Sequence, residues 1–163
     1  GKIAEINIDN MIDPSPYKEL TKCRIAYNKE IVSIEYIPYQ VRPVSSLRLV
    51  KDNTIEYSWK TTNRETINRL FASRQKYDDI LIVKNDLITD TSICNVAFSD
   101  GNRWKTPEKP LLKGTQREYL LRRGTIQEAR ISTDDISKYK HISLFNAMIG
   151  FGEIILPITS INI

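Results

Sequence analysis

The sequence predicts an α/β (α+β) domain built on a mixed sheet with flanking helices. Strand-like runs come first, and strand and helix then alternate along the chain, the order expected of a mixed sheet. Two segments carry helix-start signatures, while the strand-like runs are short and bounded by turn residues. The 163 residues suit one domain, or one domain with a small appendage. With 40% hydrophobic and 27% charged residues, such a chain can bury a sizeable core.

The elements follow in order. Pro14-Ser15-Pro16 reads as a linker. The stretch before it reads as a helix or the tail of another element. Cys23 to Tyr27, a turn at Asn28-Lys29 and Ile31 to Ile37 form a hairpin pattern. Pro38 and Pro43 bracket a loop, Val44 to Val50 suits a strand, and Asp52-Asn53 a turn. Thr62 and Glu65 have capping-box spacing. Ile67, Leu70 and Phe71 then make an apolar stripe at helical spacing, and Asp78-Asp79 ends that helix. Ile80 to Val83 is a fully apolar strand, and Asn85-Asp86 turns the chain into Leu87-Ile88-Thr89. Cys94 to Ser99 and Asn102 to Lys105 flank the hairpin signal Asp100-Gly101. Thr115 and Glu118 repeat the capping-box spacing, with Gly124 as the C-terminal cap. Thr125 to Ile131 is extended, and Thr133 caps a short helix at Asp134 to Tyr139. His141 to Phe145 and Glu153 to Ile158 close the series as strands.

Composition excludes several classes. The net charge is +4, with Lys and Arg interspersed among Asp and Glu. No block of like charges and no aromatic-basic interleaving marks a nucleic-acid surface. No apolar run approaches the roughly 20 residues of a membrane helix. Cys23 and Cys94 have no metal-ligand spacing, and His141 is the lone histidine, so no metal site is expected. His141 sits in an apolar segment and reads as a packed strand residue. Two cysteines and no export signal suggest a reducing, cytoplasmic setting. The chain opens Gly1-Lys2-Ile3 rather than with Met.

Three places could carry chemistry. Lys60 ends an extended segment beside Trp59, where partial desolvation would favour the neutral amine that forms Schiff bases. Its alternative is an ordinary surface lysine. Asp90, in Thr89-Asp90-Thr91-Ser92-Ile93-Cys94-Asn95, is a lone carboxylate between two apolar strands. It could hold a cationic ring nitrogen, or simply cap its own turn. Lys113-Gly114-Thr115-Gln116-Arg117 puts a glycine and a hydroxyl residue at a helix start, an arrangement apt for phosphate or for a capped helix without a ligand.

Taken in order, these residues resemble the class IV aminotransferase family, the fold-type IV pyridoxal-phosphate enzymes. That family includes branched-chain and D-amino acid aminotransferases and aminodeoxychorismate lyase. The resemblance runs from about Lys22 to Ile158. Lys60-Thr61-Thr62-Asn63-Arg64 is similar to the family's Lys-x-x-Asn motif. Thr89 to Val96 is similar to its Thr-Glu-x-small-x-x-Asn-apolar motif, and Trp104-Lys105-Thr106-Pro107 to its apolar-Tyr-Thr-Pro segment. Leu112 to Arg117 resembles the phosphate loop Leu-x-Gly-Ile-Thr-Arg, and Phe145-Asn146-Ala147-Met148 a second phosphate segment.

The resemblance implies a mixed, partly barrel-like sheet and pyridoxal 5'-phosphate as cofactor. Lys60 would hold it as a Schiff base and, once released, shuttle a proton. Asp90 would keep the pyridine nitrogen protonated. Gly114, Thr115, Gln116, Asn146 and Ala147 would take the phosphate. Ile93 and Cys94 would pack against the ring. The implied activity is aminodeoxychorismate lyase-like elimination or amino acid transamination, on an amino acid or amino-chorismate substrate, in a homodimer without nucleic-acid or membrane partners. The alternative is a truncated, non-catalytic relative that keeps the fold. Residues 1–21 would be the remnant of a small N-terminal domain and 22–163 the cofactor-binding domain. Asp90 replaces the family's Glu, Gln116 its Thr, Ala97 its Phe or Tyr, and Trp104 an aliphatic residue. The loop from Thr106 to Leu112 is about one residue short of the family's.

Overall fold

Strand pairing, rather than helix packing, dominates the computed structural model, which describes residues 8 and 10–162. The expected helix or tail ahead of Pro14 falls largely outside the described residues. The chain divides into two units, 1–42 and 43–163.

The first unit holds the predicted hairpin, β1 (Thr21–Tyr27) antiparallel to β2 (Ile31–Pro38). Tyr17 stacks on Tyr36 of β2 with ring centroids 4.5 Å apart. Tyr36 OH also accepts a hydrogen bond from Asp13 N–H at 2.9 Å, which pins the approach to the hairpin.

The second unit has two open sheets. One has β3 (Leu47–Lys51), β4 (Asp79–Lys84), β5 (Leu87–Thr91) and β11 (Ile161–Asn162) in the order β11-β3-β4-β5. The other comprises β6 (Asn95–Ser99), β7 (Trp104–Pro107), β8 (Ile126–Ala129), β9 (His141–Phe145) and β10 (Ile154–Pro157), ordered β10-β9-β6-β7-β8. β3 runs parallel to β4 and β7 parallel to β8, while β4–β5 and β6–β9 are antiparallel. The mixed sheet is as expected. The partly barrel-like closure is not: the strands form separate open sheets rather than a closed barrel.

Helix α1 (Glu65–Ala72) lies between β3 and β4 in the chain, and α2 (Thr115–Arg122) between β7 and β8. They occupy the connections that a parallel pair requires, since a parallel return needs a crossover. Ile80 to Val83 are fully buried on both faces of β4, which explains the uninterrupted apolar run. Ile67 and Leu70 of α1 pack with Ile55, Ile80, Ile82 and Leu111. Leu120 of α2 packs with Ala97, Ile126 and Phe145. Phe151 meets Trp104 and Phe145 edge-on, with centroids 5.3 and 5.4 Å away. No described helix is long and apolar enough to cross a membrane.

The Asn85-Asp86 turn is as expected, whereas the Asp100-Gly101 hairpin turns over four residues, 100–103, with Ser99 paired to Trp104 and the next strand starting at Trp104 rather than Asn102. Asn85 and Asp86 both take positive φ, 52° and 60°, as a two-residue hairpin turn of this twist demands. Gly124 follows α2 at φ 68°, and its N–H donates to Leu121 O at 2.9 Å.

Helix caps differ from the expectation. α1 begins at Glu65, too late for Thr62 to cap it, and Asn63 Oδ1 accepts the Glu65 N–H instead. The helix stops at Ala72, and the left-handed Gln75 at φ 57° turns the chain before Asp78. Thr115 is the first helical residue of α2, so its hydroxyl is past the capping position held by Gly114. In the 3₁₀ turn Thr133–Lys138 the box is Ser132 with Asp135, one residue earlier than predicted. His141 opens β9 but is exposed rather than packed.

Candidate functional site

Asp90 sits near the end of β5, 5% exposed, and β6 begins five residues later. The turn between them closes on itself: Thr91 N–H donates to Cys94 O at 2.9 Å, and Cys94 N–H to Thr91 Oγ1 at 3.0 Å. Ser92 is buried beneath it and donates its hydroxyl to Asp79 Oδ2 at 3.0 Å. Ile93, at the tip, is exposed.

The Asp90 carboxylate is held from two directions. Asn95 Nδ2 donates to its Oδ1 at 2.8 Å, and the Leu112 N–H to its Oδ2 at 2.9 Å. Asn95 Nδ2 also donates to Leu112 O at 2.8 Å. The turn between β5 and β6 and the loop before α2 are thereby knitted into one polar node around the buried carboxylate. Burial pushes the Asp90 carboxyl up to about 6, and the Leu112 and Asn95 donors and the charge of Arg117 offset only part of that rise. Arg117 is 2% exposed on α2; its Nη2 donates to Pro107 O at 2.8 Å and Glu128 Oε1 at 2.7 Å. Its Nε is buried without a partner.

Gly114 touches the same node. A Cβ at Gly114 would lie closer than 3.0 Å to Asn95 Oδ1. The position therefore needs a residue without a side chain, although its φ of −71° would suit any residue. No side chain caps α2. Its leading N–H groups, with the positive end of the helix dipole, are thus available to an anion. Thr115 is exposed there and Gln116 half-buried.

Asn146 is the other anchor. Its Nδ2 donates to Ile93 O at 3.1 Å and to Cys94 Sγ at 3.4 Å. Its Oδ1 accepts the N–H groups of Met148 and Ile149 at 2.7 and 3.0 Å. Ala147 is exposed on that loop. Burial pushes the Cys94 thiol up to about 12, so it is protonated at neutral pH and no nucleophile.

Lys60 is on an irregular stretch between Ile55 and Glu65 and is exposed, as is Trp59 at 81%. The desolvation expected of Lys60 is therefore not seen. A groove of about 470 Å³ beside it is lined by Tyr57, Trp59, Thr61, Asn63 and Arg64.

Contacts thus bring Asp90, Ile93, Cys94, Gly114 and Asn146 together, with Thr115 and Gln116 adjoining Gly114 and Ala147 adjoining Asn146. Lys60 is connected only indirectly, through Arg64, whose Nη2 donates to Ser92 O at 2.7 Å. Asn95, Asp79 and Arg64 were not singled out from the sequence. Asn95 and Arg64 stood inside the quoted motifs, so the signal was present; Asp79 looked like an ordinary helix-ending acid.

Residues 20–161 match the model of the family described as amino-transferase class IV. An uncharacterized protein of Haemophilus influenzae is 46% identical over 138 residues, covering 84% of this chain and 73% of that protein. A Schizosaccharomyces pombe protein, provisionally named aminodeoxychorismate lyase, is 29% identical over 133 residues, covering 71% of this chain and 58% of its own length. Among solved structures, one from Haemophilus somnus, provisionally named 4-amino-4-deoxychorismate lyase, superposes with a TM-score of 0.85 at 34% identity. It covers 92% of this chain and 80% of that one.

Proposed function

We propose, from the premise that this chain belongs to the amino-transferase class IV family, that it is a pyridoxal-phosphate-dependent enzyme acting as an aminodeoxychorismate lyase or an amino acid aminotransferase. One observation carries the reading. A buried carboxylate, Asp90, is joined through a single side chain, Asn95, to an uncapped helix start at Gly114. The two ends suit the two ends of one ligand, a flat ring with a basic nitrogen and a phosphate.

The residues fit that group. Asp90 accepts one hydrogen bond on each oxygen, and a carboxylate has room for about four. A cationic ring nitrogen beside it would favour the ionised form against desolvation. The backbone N–H groups of Thr115 and Gln116 would take the phosphate, with Gly114 allowing close approach and Asn146 and Ala147 closing the other side. Ile93 and Cys94 would flank the ring. Bound there, the cofactor supplies an electron-withdrawing ring.

Lys60 would anchor it covalently through its amine. Freed again, that amine would take and return the substrate's Cα proton. Asp90 would keep a proton on the ring nitrogen, its carboxylate accepting that N–H. The arm is one methylene shorter than glutamate, and the Asn95 and Leu112 donors fix where its oxygens stand. We propose 22–163 as the cofactor-binding domain and a homodimer as the working form. An amino acid or amino-chorismate is the proposed substrate, and the cytoplasm the setting. Size-exclusion chromatography at two concentrations tests the dimer.

The deciding experiment is an absorbance spectrum with and without added pyridoxal phosphate. A yellow band lost on borohydride reduction and absent in Lys60→Ala is expected. A protein that stays colourless with added cofactor refutes the reading. The exposed Lys60 favours a second reading, a cofactor-binding relative without turnover. Turnover on any member of an amino-acid and amino-chorismate panel excludes it.

A further inference from the structure

Lys60 lies where no strand ladder or helix fixes the backbone. Side-chain contacts across this stretch are therefore the ones that can tie it to the Asp90 turn. Arg64 supplies the one direct tie described between the Lys60 stretch and the turn after Asp90. Its Nη2 donates to Ser92 O at 2.7 Å and its Nη1 to Tyr57 OH at 3.1 Å. Tyr57 OH in turn donates to Thr61 O at 3.3 Å. The guanidinium carbon also lies 5.5 Å from the Tyr57 ring centroid. These contacts tie residues 57–64 into a loop that spans Lys60, whose side chain stays exposed.

The far end of the tie is rigid. Ser92 is buried, and its hydroxyl is bonded to Asp79 on the central strand β4. The near end is rigid too. Arg64 is the N-cap residue of α1, and its carbonyl accepts the Asn68 N–H at 2.8 Å. A planar fork reaching two neutral acceptors in different segments is a geometric device. A lysine has donors enough but no fixed planar fork, so it holds the two acceptors less precisely.

We propose that Arg64 is a positioning residue whose guanidinium sets where the Lys60 amine stands relative to the Asp90–Cys94 turn. This rests on the reading of Lys60 as the cofactor lysine. The test is site-resolved reductive labelling. The full chain is incubated with pyridoxal phosphate, reduced with borohydride and digested, and each lysine's label is measured by mass spectrometry. Wild type concentrates the label on Lys60. Arg64→Gln lowers the Lys60 share at least tenfold, towards that of exposed lysines such as Lys109, and Arg64→Lys gives an intermediate loss. Reductive methylation with formaldehyde, which needs only exposure, leaves Lys60 equally reactive in wild type and both variants. Selectivity retained in both Arg64 variants overturns the proposal while the cofactor-lysine reading stands. Formaldehyde reactivity that falls in parallel also overturns it, since the change is then general access. Even labelling in wild type refutes the cofactor-lysine reading and this proposal with it. Arg64→Lys keeps the charge, so the comparison survives if Arg64→Gln folds poorly.

Discussion

Gly114→Ala is the sharpest structural test of the buried node. The backbone there, φ −71° and ψ 151°, tolerates alanine, so no dihedral strain enters. The new methyl would instead overlap Asn95 Oδ1. Asn95 cannot swing aside freely, because its Nδ2 is bonded to both Asp90 Oδ1 and Leu112 O. Giving up the neutral bond costs about 1 kcal/mol and the one to the carboxylate about 1.5–3 kcal/mol. Partial relaxation of the helix start reduces that sum, while alanine is a poorer N-cap than glycine by about 0.5 kcal/mol. The expected loss is about 2–4 kcal/mol, and at roughly 2–4 °C of Tm per kcal/mol for a chain this size the melt moves by about 4–16 °C. Gly124→Ala is the control, with φ 68° and no atom within 4 Å of its Cβ. It bears only left-handed strain, about 1–2 kcal/mol. Thermal melts of Gly114→Ala, Asn95→Ala and the double variant complete the cycle. Once Asn95 is shortened, the Gly114 methyl has room, so the double variant should be less destabilised than the sum of the singles by at least about 1 kcal/mol. Additive losses, or a Gly114→Ala no worse than Gly124→Ala, would refute the argument.

Asp90→Asn should change how stability varies with pH. The folded carboxyl stands at about 6 against 3.8 unperturbed, so the fold binds the proton more tightly than the unfolded chain. Stability from this group is greatest below pH 4 and falls as pH rises through 6, by about 3 kcal/mol in all; urea titrations of Asp90→Asn should lack that slope, and an unchanged slope would assign it elsewhere. Glu128→Gln leaves buried Arg117 with a weaker partner, but Glu128 is half exposed. The loss should therefore be about 1–2 kcal/mol in the urea midpoint analysis, well short of the 3–5 kcal/mol of a fully buried pair. A thiol reagent at pH 8 should titrate one equivalent, exposed Cys23, in the native protein and two after denaturation, because Cys94 is buried with its thiol pushed up to about 12; two fast equivalents in the native state would contradict that burial.

Local chemistry made most of the fold legible in the sequence. Asn85-Asp86 and Gly101 mark turns because few other residues accept positive φ, and that constraint is local. Ile80 to Val83 reads as a strand because a short uninterrupted apolar run between turn residues suits burial on both faces, which the structure shows. Helix starts are less legible. Capping-box spacing at Thr62 and Thr115 is a statement about three-residue separation, and the structure uses Asn63 and Gly114 instead. At Gly114 the deciding factor was the approach of Asn95, a contact between residues 19 apart that no local rule contains. The same holds at the candidate site. Asp90 was visible as a lone acid between apolar runs, but its ties to Leu112 and Asn95 depend on how β5, β6 and the loop before α2 converge. The exposure of Lys60 was hidden for the opposite reason: a neighbouring tryptophan reads as cover in sequence, yet Trp59 is itself 81% exposed.

Asp90 joins stability to binding. At neutral pH its ionised form is disfavoured by burial, so the chain alone holds a carboxylate against a net cost of about 3 kcal/mol, taken from its rise to about 6 after its donors and Arg117 have offset part of the desolvation. A neutral residue there would relieve that cost, which the hydrogen bonds and the charge of Arg117 leave uncancelled. Any cation that docks against Asp90 reverses the sign, because a nearby positive charge lowers the carboxyl pKa and binding then expels a proton. Two consequences are linked. A cationic ligand at this carboxylate should stabilise wild type more at pH 7 than at pH 5, where part of the binding energy goes to deprotonation. In Asp90→Asn the same ligand should stabilise less, with no such pH trend in that interval beyond the ligand's own titration. Thermal shifts of both proteins with pyridoxal phosphate at the two pH values separate these effects. A larger shift at pH 5 in wild type would mean that the ligand's positive charge is not held at Asp90. Without such a ligand, the Asn95 and Leu112 donors, with the charge of Arg117, are what hold this charge in place.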